Sequence, residues 1–594
     1  MPNLYSLFFR HRLSILWIGL LSALVLGEAW SVRQSKSITF DETYYLSCGL
    51  QTVHDRWIDP RIAAEGIAPL PIMLTYVPAL VGGPVEARPE PWKGQLHDRD
   101  FISGPRLFNT LVMGLPLIVL VFVWLFRRRD LATACLGSGL LALSPTFMAH
   151  ASLATMDAAI AFFSTLAIAT TGWYFQRPSR HRFCLWALSI SAAMTAKYSG
   201  IFLLPMAGLL LFFQAPSAIF GWRGLIHKLT GALKTYGWLL CLILPLWWGL
   251  HGFTFTGPLK NVPLDVTPDS SPWVKILGRS SAAEWFMDVA HEKLKRPAPV
   301  AGVVFQFLHN QGGHGATFLS GQLSPGGRWD YFPCAFLFKS TPVELLLTVF
   351  ILGQMLIAFR APLASWKGLD GASRAMLVGA ATFITLVLAA NINIGQRYLI
   401  LLYPLLFIAG SDQLAERLQN RRNVLSLLSV LLLAIQFASN QSATPNHLAY
   451  FNRFAGGSGN GWRLLSDSNI DWGQDLPGLA EGLSQEGTPR TAFSYFGTAV
   501  VAGYGIRADR LDQGEASGDY DVLAVSVTHL QGMYVRGHDP FREWRDIPPD
   551  WKSGESIWVY RLNTADRQRL FQATADRIRR GRQPIESAVS GDLR

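Results

Sequence analysis

Charge is what this sequence has little of. Asp, Glu, Lys and Arg make up only 16% of its 594 residues, against roughly 25% in ordinary soluble domains. Half of the chain is hydrophobic and the mean hydropathy is +0.23, which argues against a soluble globular enzyme and for a membrane protein. Cysteines are few, five in all, with no CxxC pair, so spacing writes neither a disulfide framework nor a thiolate metal site. Three of them, Cys135, Cys184 and Cys241, fall inside apolar runs and read as small hydrophobes. Nucleotide-cradling loops are missing too: there is no GxxxxGK followed by Ser or Thr and no GxGxxG after a strand. Internal repeats and low-complexity tracts are absent. The net charge of +11 forms no basic face of the kind that binds nucleic acid, because Lys and Arg gather in short clusters between apolar runs.

What is present is a series of apolar runs of about 20 residues, enough to cross a hydrocarbon core of about 30 Å. They recur from the N-terminus to about residue 440. Placing the basic clusters on the cytoplasmic side threads about eleven spans, at 13–30, 107–126, 131–147, 155–175, a run ending at Ala196, a run returning towards Arg223, then 235–252, 342–359, 375–390, 398–411 and a last run leaving from Arg421-Arg422. The N-terminus is then cytoplasmic, and the long polar loops 31–105 and 253–340 are outside. The first run has the basic flank of a signal peptide but no convincing small-x-small cleavage site, and is read as a transmembrane helix. Beyond residue 440 the chain turns to Gly/Asn/Asp turns and short β-rich runs such as Tyr520–Val527 and Ser556–Leu562. The expected architecture is an α-helical polytopic membrane protein of about 11 transmembrane helices in residues 1–439, an extracytoplasmic α/β domain in 440–563 and a charged tail in 564–594.

Against this apolar background the ionisable residues at the outer ends of spans stand out, because such groups inside a membrane protein are functional candidates. Asp41 and Glu42 follow span 1 by a dozen residues in Ser37-Ile-Thr-Phe-Asp-Glu-Thr-Tyr-Tyr-Leu46, and Asp157 opens span 4. A helix N-cap explains the acid pair as well as catalysis does, and a cap or ion pair is the alternative for Asp157. Lys197 after span 5, Arg397 at the top of span 10, Arg106 at the top of span 2 and Lys339 before span 8 supply cations at the same level. Any one of them can simply snorkel to headgroups. Several cations around two acids suit a ligand carrying a phosphate beside a hydroxyl to be activated, since Arg forks and Lys point charges stabilise a departing phosphate.

Phe40-Asp-Glu42, Leu143-Ser-Pro-Thr-Phe-Met-Ala-His-Ala-Ser-Leu-Ala-Thr-Met-Asp157 and Ala196-Lys-Tyr-Ser-Gly200 together resemble the GT-C superfamily, in the branch of protein O-mannosyltransferases and aminoarabinose transferases. Gly313–Gly321, Trp329–Lys339, Asn393–Tyr398, Tyr450–Gly457 and Asp467–Asp475 resemble a bacterial subgroup. The resemblance implies a GT-C-like membrane glycosyltransferase that moves a monosaccharide from a polyprenyl-phosphate carrier to a lipid, glycan or protein acceptor at the outer face of the cell envelope, with inversion. A bacterial inner membrane is the implied location. Carried over, Asp41 is the base or the acceptor-orienting group, Glu42 its neighbour and Asp157 the second acid. Lys197 and Arg397 bind the carrier phosphate, with Arg106 and Lys339 as further candidates. Tyr44, Tyr45, His150, His314, Trp472 and Gln474 are the substrate-binding candidates within these motifs. No HEAH-like metal pattern and no repeated β-trefoil insertion is present, so a protein acceptor does not follow.

No metal ligand set is assigned and no cofactor is called, although a divalent metal is left open: His54, Asp55, His97 and Asp98 share the first outer loop without a diagnostic spacing. Asp467-Ser-Asn469-Ile-Asp471-Trp-Gly-Gln-Asp475 spaces oxygen ligands as half a calcium loop does, but has Trp472 where Gly is needed and Gly478 in place of the twelfth-position Glu. An Asx-rich turn in which Asp471 caps a helix over Leu476–Leu483 is the better reading. The rival function is a transporter or flippase of lipid-linked sugars, which would show related halves and broken helices at the bilayer midplane rather than acids at one face.

Overall fold

The computed structural model describes residues 4–58, 61–81, 99–214, 222–256, 278, 280–289, 295–516, 518–537 and 539–581. Helix α1 (Leu4–Ser35) leads through four extended residues into α2 (Phe40–Asp55). A short apolar helix, α3 (Pro69–Leu80), precedes the long α4 (Phe101–Arg128). The helices α5 (Leu131–Ala142) and α6 (Pro145–Ala151) follow, bent by 66° at Ser144-Pro145, where the proline cannot continue the helix before it. Then come α7 (Met156–Gln176), α8 (Arg180–Ala196), α9 (Tyr198–Gln214) and α10 (Trp222–Gly249). Further along the chain lie α11 (Tyr331–Lys339), α12 (Pro342–Ala358), α13 (Gly371–Leu388), α14 (Leu402–Arg417) and α15 (Arg422–Ala443).

A helix therefore stands at each of the eleven positions expected to cross the membrane. Six among the described residues are long and apolar enough to do so by themselves, seven if the bent α5–α6 pair counts as one span. The shortfall from eleven is one of length: α9 and α12 are apolar but short, while α8 has 17 residues and α14 has 16, below the ~20 that a 30 Å core requires. Starts and stops follow local chemistry. Asp130, Ser179 and Asp370 accept backbone amides at the first turns of α5, α8 and α13, and Thr341 with Glu344 forms a capping box on α12. At the arginine-rich end of the bundle, Arg128 and Arg129 bridge α4 to Asp412 of α14 at 2.8 and 2.5 Å. Trp238, Leu246, Leu352, Leu356 and Leu427 are exposed, as lipid-facing residues should be. Cys184 and Cys241 share that exposure, contrary to the expected packing, and no cysteine is bridged.

After α15 the chain builds a mixed five-stranded sheet from β1 (Thr491–Ser494), β2 (Ala508–Arg510), β3 (Val522–Ser526), β4 (Trp551–Ser553) and β5 (Ile557–Arg561), in the order β2-β1-β3-β5-β4. The β1/β2 and β1/β3 pairings are parallel, and the pairs involving β5 are antiparallel. Every residue of β3 is buried, in keeping with its unbroken apolar run. Helix α16 (Leu476–Gln485) and the charged α17 (Ala565–Arg580) cover the sheet, the latter through Phe571, Ala575 and Ile578. The last thirteen residues of the expected tail lie outside the described residues.

This C-terminal sheet domain is stitched to the start of α2. Ser37 and Phe40 donate their amides to the carbonyls of Gln474 and Trp472 at 2.8 and 3.0 Å, and Lys36 pairs with Asp475 at 2.5 Å. The ring of Phe40 stacks on Phe496, with centroids 5.3 Å apart.

Candidate active site

Asp41 and Glu42 are consecutive in a helix and so point about 100° apart. Glu42 turns inward and is fully buried. Its Oε1 accepts from Arg106 Nε at 2.9 Å and the Ala154 amide at 2.8 Å. Its Oε2 accepts from Arg106 Nη2 at 2.7 Å and from the amide and hydroxyl of Thr39 at 2.9 and 3.0 Å. Burial alone would raise this carboxyl. The adjacent Arg106 and the two amides outweigh it and hold the group below its usual range. Arg106 also donates to the carbonyls of Lys36 and Ser37 at 3.1 and 2.7 Å. Every nitrogen and oxygen of the pair's charged groups thus has a partner within the protein. Neither Glu42 as a catalytic acid nor Arg106 as a phosphate ligand fits this arrangement, because each saturates the other.

Asp41 turns the other way, into a cluster drawn from four helix ends. Its Oδ2 accepts from Arg397 Nη1 at 2.6 Å and from the Tyr45 hydroxyl at 3.3 Å, and its side chain is 24% exposed. Arg397 lies in a short turn, Gln396–Leu399, just before α14. Asp157 occupies the first turn of α7, where the helix dipole favours an anion. It binds Lys197 Nζ, at the C-terminal end of α8, at 2.8 Å and the Thr155 hydroxyl at 3.1 Å. It also lies 3.8 Å from both Arg397 Nη1 and His150 Nδ1. Asp41 and Asp157, 116 residues apart in the chain, therefore meet through one guanidinium. Of the two cations, Lys197 is 21% exposed and Arg397 7%.

Aromatic rings hold the cations in place. Arg397 lies over Trp472 at 4.3 Å and near Tyr398 at 5.5 Å, and Lys197 lies over the same Tyr398 at 4.7 Å. Arg397 Nε is buried and has no hydrogen-bond partner among the described residues. An unmade bond on a buried cation is costly, and the free N–H stands beside an Nη1 that already holds a carboxylate.

Several expected substrate contacts are structural instead. Trp472 is 1% exposed and serves as the floor under Arg397. Gln474 accepts from the Trp472 amide at 2.6 Å and donates to Ile470 O at 2.8 Å, closing the turn rather than facing a ligand. Lys339 is buried, donates to Leu448 O at 2.7 Å and to Asn469 O, and lies 4.7 Å from the Phe451 ring. Burial lowers its ammonium well below the usual range. Two of its donors brace the C-terminal segment from the protein interior. Asp471 does not cap α16. It accepts from the Gly473 amide at 3.2 Å and the Thr528 amide at 2.9 Å, an Asx turn fastened to the sheet domain, and Asp475 is the residue that precedes the helix.

Tyr44 packs edge-on against Tyr45 at 6.5 Å. His314 sits at the rim, 5.8 Å from the Tyr534 ring. Burial lowers His314, with Asp41 pulling it up and Arg397 pushing it down. His54 and Asp55 contact each other at 2.9 Å, whereas His97 and Asp98 lie outside the described residues. Among the described residues no three His, Cys, Asp or Glu side chains are grouped to hold a metal ion. Tyr398 and Thr155 belong to the cluster without having been singled out for it. The Arg397-Tyr398 dipeptide was the available signal.

Residues 91–256 match the family model described as dolichyl-phosphate-mannose-protein mannosyltransferase. The yeast (S. cerevisiae) protein O-mannosyltransferase Pmt1-Pmt2 complex bound to its sugar donor is similar in structure, with a TM-score of 0.50, 11% identity and coverage of 72% of this chain and 90% of that one. An oligosaccharyltransferase, AglB from Archaeoglobus fulgidus with an inhibitory peptide and a dolichol-phosphate, gives a TM-score of 0.41 at 11% identity over 71% of this chain and 56% of its own. ArnT from Cupriavidus metallidurans bound to undecaprenyl phosphate gives 0.28 at 13% identity over 93% and 98%. No curated protein matches the sequence. The class is that of the GT-C fold, which the chain shares with the yeast complex. The family-model match is confined to the segment that carries Arg106, Asp157 and Lys197.

Proposed function

We propose that the protein is a membrane glycosyltransferase that takes a monosaccharide from a polyprenyl-phosphate carrier and transfers it, with inversion, to a hydroxyl-bearing acceptor at the outer face of a bacterial inner membrane. The observation that carries this reading is the meeting of Asp41 and Asp157 at Arg397, beside Lys197. Asp41 is the partly exposed carboxylate, with Oδ2 held by Arg397 and Tyr45 and its second oxygen directed to the acceptor. It orients the acceptor hydroxyl and takes its proton as the oxygen bonds to the anomeric carbon. The bond from that carbon to the phosphate oxygen breaks, and the electron pair leaves with the phosphate. Arg397, through its unpaired Nε, and Lys197 meet the charge that develops there. Asp157 is buried behind both cations and sets their positions, a role distinct from that of an acid touching the acceptor.

Purified protein supplied with a polyprenyl-phosphate-linked monosaccharide and a membrane extract as acceptor source tests the reading. Transfer by the wild type and none by Asp41→Asn is expected, and full activity in that variant would remove Asp41 from the mechanism. A flippase would move the labelled lipid between leaflets without any covalent product.

A further inference from the structure

An aromatic row starts at the residue before Asp41. Phe40 stacks on Phe496 with ring centroids 5.3 Å apart, Phe496 stacks on Tyr534 at 5.3 Å, and the ring of His314 meets Tyr534 edge-on at 5.8 Å. The planes of the two stacks differ by only 23° and 15°, and the centroid spacing is that of the offset arrangement which aromatic quadrupoles favour. Three distant parts of the chain therefore build one surface: the start of α2, the Gly313–Gly315 turn and the C-terminal sheet domain.

The middle of the row is closed and its ends are open. Phe496 is 8% exposed, whereas Phe40 and Tyr534 are 39% and 40% exposed and His314 is exposed as well. Folding tends to cover rings of this size. Here the backbone adopts rare conformations to present them: Tyr534 has φ +54°, uncommon for an aromatic residue, and Gly313 and Gly315, both at φ +76°, bracket His314. Outliers of this kind collect at functional sites. The Thr498 hydroxyl donates to Phe40 O at 3.0 Å and to the Thr43 hydroxyl at 2.9 Å, which fastens the row to the helix that carries Asp41. At the far end the His314 imidazole is within electrostatic reach of Asp41 and Arg397.

The chemistry of the row selects its ligand. It contains no aliphatic side chain of the kind that lines a fatty-acyl groove, and its far end has polar tips. These are the Tyr534 hydroxyl, which reaches His314 O only at 3.5 Å, a length at which a hydrogen bond is weak, and the imidazole of His314. Apolar ring surface edged by hydrogen-bonding groups matches a sugar, which carries C–H bonds on its faces and hydroxyls around its rim. A hydroxyl on that rim is also what Asp41 requires.

We propose that the row is the acceptor platform and that the acceptor is a carbohydrate, whose sugar rings lie along the open surfaces of Phe40 and Tyr534 and turn a hydroxyl to Asp41. The inference rests on the transfer reading above and adds to it the class of the acceptor. The hydroxyl oxygen bonds to the anomeric carbon as its proton passes to Asp41 and the phosphate leaves with the electron pair, so the product is a glycoside joining two sugars.

The detergent-solubilised full chain, supplied with a polyprenyl-phosphate monosaccharide labelled in its sugar and with the membrane extract as acceptor source, tests it. Methylation linkage analysis of the labelled product is expected to show the transferred sugar joined to another sugar. Tyr534→Ala should raise the amount of extract needed for half-maximal transfer about tenfold, the weight of one well-packed ring, and leave the donor KM unchanged. Tyr534→Phe keeps the ring and should recover most of that loss. His314→Ala, at an exposed turn, should show a smaller rise. A link to a serine, threonine or lipid hydroxyl, or unchanged extract dependence in both Tyr534→Ala and His314→Ala, would overturn the inference and leave the transfer reading standing. No transfer by the wild type would overturn that reading and the inference with it.

Discussion

Two neighbouring acids, Asp41 and Glu42, each pair with a distant arginine, and the two ion pairs could hardly differ more. In Arg106–Glu42 the side chains are 2% and 0% exposed and every polar atom is satisfied. In Arg397–Asp41 the carboxylate is 24% exposed and the guanidinium keeps a buried, unpaired Nε. A saturated pair can only hold a structure together, whereas an unsaturated pair can exchange partners with a ligand. The sealed pair fixes α2 against α4 and Ala154, and so fixes where Asp41 points.

That contrast is open to attack by substitution. The largest effect is expected from Asp41→Asn, a loss of transfer of about 10³-fold, the usual weight of a positioned proton acceptor, with an unchanged melting temperature by thermal shift. Glu42→Gln should do the reverse. It leaves Arg106 buried without its counter-charge and costs about 3–5 kcal/mol, read as a lowered melting temperature, while Glu42→Gln combined with Arg106→Met recovers much of the stability. If Glu42→Gln kept the wild-type melting point and lost only turnover, the distinction between the two pairs would fall. Arg397→Lys keeps the charge but removes the planar fork. A rise of about 10–100-fold in donor KM is expected in initial-rate assays, larger than any change in thermal stability. Trp472→Phe weakens the ring beneath Arg397, and its effect should be the smallest, a rise of under about tenfold in donor KM.

Much of this arrangement was legible in the chain. A lone acid at a span end and cations at the same level mark a site through the cost of charge near hydrocarbon, and Asp41, Asp157, Lys197 and Arg397 were found that way. Helix positions were legible from apolar runs interrupted by basic clusters. The division of labour was not, because it depends on partners far along the chain: Arg106 reads as a free cation until Glu42, 64 residues away, is seen to consume it. Trp472 and Gln474 in an Asx-rich run read as ligand contacts, although tertiary packing turns one under Arg397 and the other onto its own turn. The docking of Ser468 and Asn469 carried no local signal beyond that run, since it depends on the 394–396 segment they bond to. The mixed order of the outer sheet was beyond reach as well, because short strands reveal their period but not their neighbours.

The seam between residues 36–40 and residues 472–476 has a bearing on how the molecule matures. The backbone groups just ahead of the helix that carries Asp41 must wait for partners made more than four hundred residues later. The same late segment brings the ring beneath Arg397. On the proposed reading, the site is therefore incomplete until residues 472–476 have been made and have folded back onto residues 36–40.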